Sequence, residues 1–207
     1  MENRYSAVEI VLATRNKKKI EEIKRITSGV PITILSLDDF SGCPDVIEDN
    51  DTFEGNAVQK AVSACRCTGK PALADDSGLE VEALNGRPGV HSSRYAGVTN
   101  HISDAKNNEK LLAELETVPD EKRGARFVCC IALAFPSGVV RTFFGFAPGR
   151  ISREPRGTNG FGYNPIFVPE GHARTFAEMT NEEKDGLSHR GKALAKCIEF
   201  IRSKFSL

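Results

Sequence analysis

Apolar positions along the chain switch between two periods, and the switches mark out its elements. The opening VEIVLAT is a short, nearly continuous apolar run that predicts a buried strand, and in the next stretch, ATRNKKKIEEIKR, Ile20, Ile23 and Ile26 recur on one side of a helix. VPITILSL predicts the next strand. A polar, acidic connection then leads into DTFEGNAVQKAVSACRC, where Asp51 and Glu54 have capping-box spacing and Phe53, Ala57, Ala61 and Ala64 form a packing stripe. Asn56 and Lys60 lie together on another face of that helix. In KPALADDSGLEVEAL a short apolar segment and an acidic pair precede alternation through Leu79, Val81 and Ala83, the pattern of a half-buried strand. NGRPGVHSSRYAGVTN, rich in turn formers, predicts a loop, and residues 101–117 a helix with Leu111, Leu112 and Leu115 inward, ended near Pro119. ARFVCCIALAFPSGVVRTFFGFAPG predicts two long strands around a Pro-Ser-Gly turn. After the glycine-punctuated GTNGFGYNPIFVPEG, Thr180 and Glu183 repeat the capping-box spacing. Ser188 is placed to cap a last helix packed through Leu194, Cys197, Ile198, Ile201 and Phe205.

Strands interleaved with helices, plus one hairpin, predict an α/β fold with a mixed rather than purely parallel sheet. No repeat and no linker interrupts the pattern, so residues 1–207 are expected to form one domain.

Charge narrows the partners. Lys plus Arg equals Asp plus Glu at 28 each, so no global field favours nucleic acid, while a small anionic substrate stays compatible with local basic clusters. No apolar targeting segment stands before the first strand and no 18-residue apolar run occurs, which leads to the expectation of a cytoplasmic protein that does not span a membrane. The six cysteines, Cys43, Cys65, Cys67, Cys129, Cys130 and Cys197, lack CxxC spacing and are expected to be buried free thiols.

The candidate chemistry begins with an electrostatic anomaly. Lys17, Lys18 and Lys19 fall in the first turn of a helix, where the dipole and unpaired N–H groups favour anions. TRNKKK sits where a strand hands over to a helix, the place where α/β folds collect phosphates, and Thr14 and Asn16 can donate side-chain hydrogen bonds there. The alternative is a solvated lysine cluster paired locally with Glu21 and Glu22. Glu48 and Asp49 stand just ahead of the second helix, and their carboxylates suit a magnesium ion. In LADDSGLEV, Asp75 and Asp76 lie directly against an apolar strand, where an uncompensated carboxylate is costly, so a metal or ligand is the economical reading. One of the pair can hold Mg²⁺ and polarise or deprotonate a water, with Ser77 and Gly78 close to a phosphate. Phe161 or Tyr163 can stack on a base. Lys184, His189 and Arg190, at two helical starts, repeat the first anomaly and can hydrogen-bond a carbonyl edge of a heterocycle.

ATRNKKK, TFEGNA, LADDSGLEV, PGVHSSRYAG, GTNGFGYNPIF and EEKDGLSHRG, in this order and at these spacings, resemble the inosine triphosphate pyrophosphatase (Ham1-like) family over essentially residues 7 to 203. The resemblance implies a two-lobed α/β fold with a long, curved mixed sheet and a central active-site cleft, in a protein that is usually a homodimer. It implies Mg²⁺-dependent hydrolysis of ITP, dITP and XTP to the monophosphate and pyrophosphate, clearing deaminated purines from the nucleotide pool. On this chain Thr14, Asn16 and Lys19 would bind phosphate, with Arg15, Lys17 and Lys18 in the same loop and Lys60 adding a cation. Glu48 and Asp76 would hold the metal, Asp76 would accept the proton of the attacking water, Asp75 would support it, and Ser77 would touch substrate. Phe161, Gly162, Tyr163 and Asn164 would wrap the base, Lys184 would contact the nucleotide, and His189 with Arg190 would read the 6-keto group. Arg94 would face the site. Three positions depart from the family pattern: Arg15 replaces a usual glycine, Asn164 a usual aspartate, and Leu187 a usual isoleucine. Two other readings compete, a septum-formation-inhibitor-like pyrophosphatase, which lacks the SHR ending, and a nucleotide-binding module without catalysis.

Overall fold

The computed structural model describes residues 8–98 and 103–205. Its strands are β1 (Val8–Leu12), β2 (Ile32–Ser36), β3 (Ala72–Val81), β4 (Gly124–Ala134), β5 (Val140–Ile151) and β6 (Phe167–Pro169). Its α-helices are α1 (Lys17–Ile26), α2 (Phe53–Thr68), α3 (Ser103–Glu114), α4 (Asn181–Leu187) and α5 (His189–Phe205). The strands are hydrogen-bonded in the order β2-β1-β3-β4-β5-β6. β1 pairs in parallel with β2 (Val8 opposite Ile32) and with β3 (Leu12 opposite Leu73), whereas β6 runs antiparallel to β5 (Phe167 opposite Ile151). The sheet is therefore mixed, as the alternation of helices with one hairpin required. That hairpin is formed by β4 and β5, closed where Phe135 N–H donates to Val139 O and Gly138 N–H to Phe135 O.

By internal contacts the chain forms two units, one made of Met1–Asp76, Cys130–Phe144 and Arg190–Leu207, the other of Ser77–Cys129 and Gly145–His189. The first is built on β1 and the start of β3, whose Ile10, Val11, Ala72 and Ala74 are fully buried. The stripe predicted for α2 is buried too, and its three alanines leave only short side chains at the packing face. The second unit has an apolar core of its own, including Leu79, Val81, Leu111, Leu115, Phe127, Ile151, Phe167 and Phe176, with the rings of Phe127 and Phe167 edge to face at 4.6 Å. Arg123, 2% exposed, is tolerated in that unit because Nε, Nη1 and Nη2 donate to the carbonyls of Ile151, Leu115 and Ser152 at 2.6–2.9 Å.

Several local expectations need correction. α2 is capped by Thr52, not Asp51: Thr52 is the last residue with extended backbone, and its Oγ1 accepts from Gly55 N–H at 3.0 Å. The expected 101–117 helix ends at Glu114 and continues as turns to Val118, while residues 101–102 lie outside the described residues. Inside the expected loop 85–100, Gly89–Arg94 forms a short 3₁₀ helix. The expectation of six free thiols fails for two: Cys43 and Cys67 form a disulfide, because folding brings their Cα atoms to 5.6 Å, within bridging range. Cys65, Cys129, Cys130 and Cys197 are free and buried. No helix among the described residues is long and apolar enough to cross a membrane.

Candidate active site

In the loop from β1 to α1, Thr14 and Asn16 first shape the backbone. Thr14 Oγ1 accepts from Asn16 N–H at 3.2 Å, and Asn16 caps α1 by accepting from Lys19 N–H at 3.2 Å. No acidic residue occupies the first turn of α1. Lys17 and Lys18 are exposed. The Lys19 side chain is only 16% exposed and its ammonium pairs with Asp75. Arg15 turns the other way: Nε donates to Asp38 at 3.0 Å, Nη2 to Cys43 O at 3.2 Å, and Nη1 pairs with Asp45. Thr14, Arg15, Cys43, Asp45, Glu48 and Lys60 border one pocket of about 120 Å³.

β3 decides what the acidic pair does. It continues through the acidic pair of LADDSGLEV as one ten-residue strand, Ala72–Val81. Neighbouring residues of a strand point to opposite faces, and Asp75 and Asp76 accordingly have different partners. Asp75, fully buried, faces Lys19 and Arg190. Arg190 Nε and Nη2 donate to its two oxygens at 3.1 and 3.4 Å, and Arg190 Nη1 donates to Glu22 at 2.7 Å. Asp76 meets α2 instead: Oδ1 accepts from Lys60 Nζ at 3.0 Å and Oδ2 from Asn56 Nδ2 at 3.3 Å. The same Lys60 ammonium donates to Glu48 at 3.0 Å and to the Asp75 carbonyl at 2.9 Å. Asn56 also holds the approach to α2, accepting from Asn50 N–H at 3.0 Å.

The titration of these groups follows from burial and charge. Burial pushes the Asp76 carboxyl up to about 6, against the opposing ammonium groups of Lys60 and Lys19. Burial also works against an ionised Glu48, but Lys60, Lys19 and a hydrogen bond with Asp76 together hold that carboxyl below its usual range. For Lys60 burial favours the neutral amine, yet Asp76, Glu48 and Asp75 together raise it. An ammonium gripping two carboxylates is the result.

The second unit carries the aromatic segment. Phe161 is half-buried, with Lys184 Nζ 5.8 Å from its ring centre. Gly162 is gripped at both ends of its own backbone by α3, since Asp104 accepts from its N–H at 2.9 Å and Asn108 Nδ2 donates to its carbonyl at 3.1 Å. Tyr163 is core: 3% exposed, it donates its hydroxyl to Ser92 O at 2.9 Å, so it anchors the segment. Asn164 is buried against Gly160, where a Cβ would collide with its amide. Lys184 is 5% exposed on α4, whose Thr180–Glu183 capping box forms as predicted. Ser188 is the extended residue between α4 and α5, and the ring of His189 stacks on Phe127 at 4.6 Å and 7°. Ser77 is half-buried in β3 just past Asp76, and Arg94 half-buried at the end of its 3₁₀ turn.

Lys19, Glu48, Lys60, Asp75, Asp76 and Arg190 thus form one charged cluster in the first unit. Against this geometry, the profile of the Ham1 family matches residues 10–200 of the chain. The chain belongs to the Ham1 family. Its relatives include a dITP/XTP pyrophosphatase of Geobacter sulfurreducens, 54% identical over 186 residues, covering 90% of this chain and 92% of the relative. A dITP/XTP pyrophosphatase of Mycobacterium tuberculosis is 50% identical, covering 94% and 96%. Among solved structures, a HAM1 protein from Coxiella burnetii superposes with a TM-score of 0.85 at 44% identity, covering 95% of this chain and 99% of that one. The Staphylococcus aureus Ham1 protein gives 0.84 at 38%, with the same coverage. The α/β fold with a mixed sheet flanked by helices is the Ham1 fold.

Two members of the charged cluster of this Ham1 chain, Glu22 and Asn56, and the two residues that grip Gly162, Asp104 and Asn108, carry no role in the sequence reading. Glu22, expected as a surface partner of the lysines, is 3% exposed and holds Arg190. Its position three residues after Lys19, next to Ile23, was the available signal. Asn56 was visible as the i, i+4 neighbour of Lys60, but not its contact with Asp76. Asp104 and Asn108 carry no motif at all, because their partner is a glycine backbone far along the chain.

Proposed function

We propose that the chain is a nucleoside triphosphate pyrophosphatase that hydrolyses ITP, dITP and XTP to the monophosphate and pyrophosphate, and so clears deaminated purines from the nucleotide pool. The observation that carries this reading is the convergence of Glu48 and Asp76 on the Lys60 ammonium, each at 3.0 Å, beside Lys19 and Thr14. Two carboxylates drawn to one cation are an all-oxygen donor set suited to a hard divalent ion. Glu48 and Asp76 are the residues proposed to hold Mg²⁺, which when bound neutralises phosphate charge. Lys19, Lys60, Thr14 and Asn16 bind the triphosphate, with Arg15, Lys17, Lys18 and Ser77 beside it. The two ammonium groups offset the charge that builds on the phosphoryl oxygens as water attacks the α-phosphorus. The Asp76 carboxylate takes the proton of that water, and Asp75 keeps Lys19 aimed.

Base recognition belongs in this proposal to Phe161, Gly162, Tyr163, Asn164, Lys184, His189 and Arg94. Phe161 stacks on the purine, Tyr163 supports the segment from the core, and donors on His189 and Arg190 read the 6-keto oxygen. The Arg190 donors already on Asp75 and Glu22 fix its orientation. A donor facing the 6-amino group of adenine would stay unpaired, costing about 1–3 kcal/mol. A single two-lobed domain over 1–207, a homodimer, a cytoplasmic location and no nucleic-acid partner complete the proposal, the last supported by balanced charge.

The test is a steady-state comparison of pyrophosphate release from ITP, XTP, dITP, ATP, GTP and dUTP, with Asp76→Asn alongside. ITP and XTP should be turned over far faster than ATP, and the variant should lose roughly 10²–10⁴-fold in kcat. Equal rates on ITP and ATP, or an undiminished variant, refute the reading.

A further inference from the structure

We propose that the Cys43–Cys67 disulfide is a reversible thiol–disulfide site, opened by a dithiol reductant, whose state sets how firmly the segment bearing Glu48 is held against Lys60. Residues 40–52 form neither helix nor strand. Within them Cys43 alone is buried, at 8% exposure, while Ile47 stands 77% exposed. A segment that buries so little apolar surface has little hydrophobic hold and sits at the low end of local stability. Its other ties are polar. Arg15, with a side chain 40% exposed, reaches Asp45, 88% exposed, a kind of pair that contributes little in water. Asn50 bonds to Asn56 and Gln59 nearer α2. The disulfide is the covalent tie, and it ends on Cys67, two turns beyond Lys60 on the same helix. Cys43 also borders the pocket shared by Thr14, Glu48 and Lys60. The crosslink thus ties the segment that carries Glu48 to the helix that carries its ammonium partner.

Access favours exchange at this site alone. Cys67 is exposed, so a thiolate can reach its sulfur. Cys65, Cys129, Cys130 and Cys197 are buried, and burial pushes the thiols of Cys130 and Cys197 up to about 12. A reductant thiolate attacks Cys67 Sγ, the Sγ–Sγ bond breaks, and Cys43 leaves as a thiolate that takes up a proton. The second reductant thiol then displaces Cys67, and the reductant departs as its own cyclic disulfide. Two electrons pass to the protein, and a disulfide oxidant reverses the step.

The proposal relies on the pyrophosphatase reading only for the activity arm of its test. The full chain is compared before and after dithiothreitol under native conditions by alkylation with mass mapping, by amide hydrogen exchange and by pyrophosphate release from ITP at limiting Mg²⁺. Reduction should expose two alkylatable cysteines, Cys43 and Cys67. It should speed exchange in 40–52 by about ten-fold or more while residues 57–66 of α2 keep their protection. Release should fall several-fold and return on reoxidation, and Cys67→Ser and Cys67→Ala should match the reduced protein and ignore dithiothreitol. Unchanged exchange in 40–52 after verified reduction overturns the proposal, as does an as-isolated protein in which Cys43 and Cys67 are already alkylatable. A chain that releases no pyrophosphate in either state sinks the functional reading instead, and the exchange result still decides this one.

Discussion

Replacing Arg190 with methionine tests whether the buried cluster around Asp75 is held together by that guanidinium. The Arg190 side chain is 3% exposed, and its partners Glu22 and Asp75 are 4% and 0% exposed. Methionine keeps an unbranched apolar stem but deletes the donors at 2.7 Å from Glu22 and 3.1 Å from Asp75. Asp75 keeps Lys19, so the main cost falls on Glu22, a buried carboxylate that loses the guanidinium donor at 2.7 Å. Breaking a buried pair from one side costs about 3–5 kcal/mol. For a chain of this size, at roughly 2–4 °C per kcal/mol, the midpoint should fall by about 6–20 °C. The assay is thermal unfolding followed by circular dichroism, with urea titration to check that one transition persists. Arg190→Met combined with Glu22→Leu should recover much of the loss, because the buried carboxylate that lost its donor is then removed as well. A single variant within about 2 °C of the parent, or a double variant that loses the sum of both effects, refutes the account.

Other expectations follow from the same geometry. Lys19→Ala should cut kcat/KM for ITP by about 10–100-fold, the worth of a charge-assisted contact, while Lys17→Ala and Lys18→Ala should stay near the parent; equal losses at all three would mean a diffuse positive field. Asp104→Ala and Asn108→Ala free one end each of the Gly162 backbone, so KM for ITP should rise several-fold and the ITP to ATP ratio should drop, and unchanged values would show that the grip is irrelevant to the base. The buried thiols of Cys129, Cys130 and Cys197 should resist a thiol reagent at neutral pH until the chain is unfolded in urea, and rapid labelling of the native protein would contradict their burial.

Periodicity alone carried most of the element order, because each amphipathic segment had a single face to bury. The three alanines of α2, the hairpin around residues 135–139 and the Thr180–Glu183 cap were legible in this way, and so was the family, through six short motifs in order. Local chemistry was less legible where two readings differed by one residue, as with Thr52 against Asp51, since only backbone angles separate a cap from its neighbour. Pairings between distant residues stayed out of reach. Asp75 and Asp76 are adjacent in sequence, but the strand sends them to opposite faces, and which cation meets which carboxylate depends on where α1, α2 and α5 pack. Glu22 read as a surface charge until Arg190, 168 residues away, covered it. Cys43 and Cys67 read as free thiols because a disulfide depends on the distance between backbones, which no spacing encodes. The chain's own residues therefore determined the family, the elements and the kinds of charge at the site. The tertiary structure decided the partners, because contact energies act between groups that only packing brings within a few ångströms.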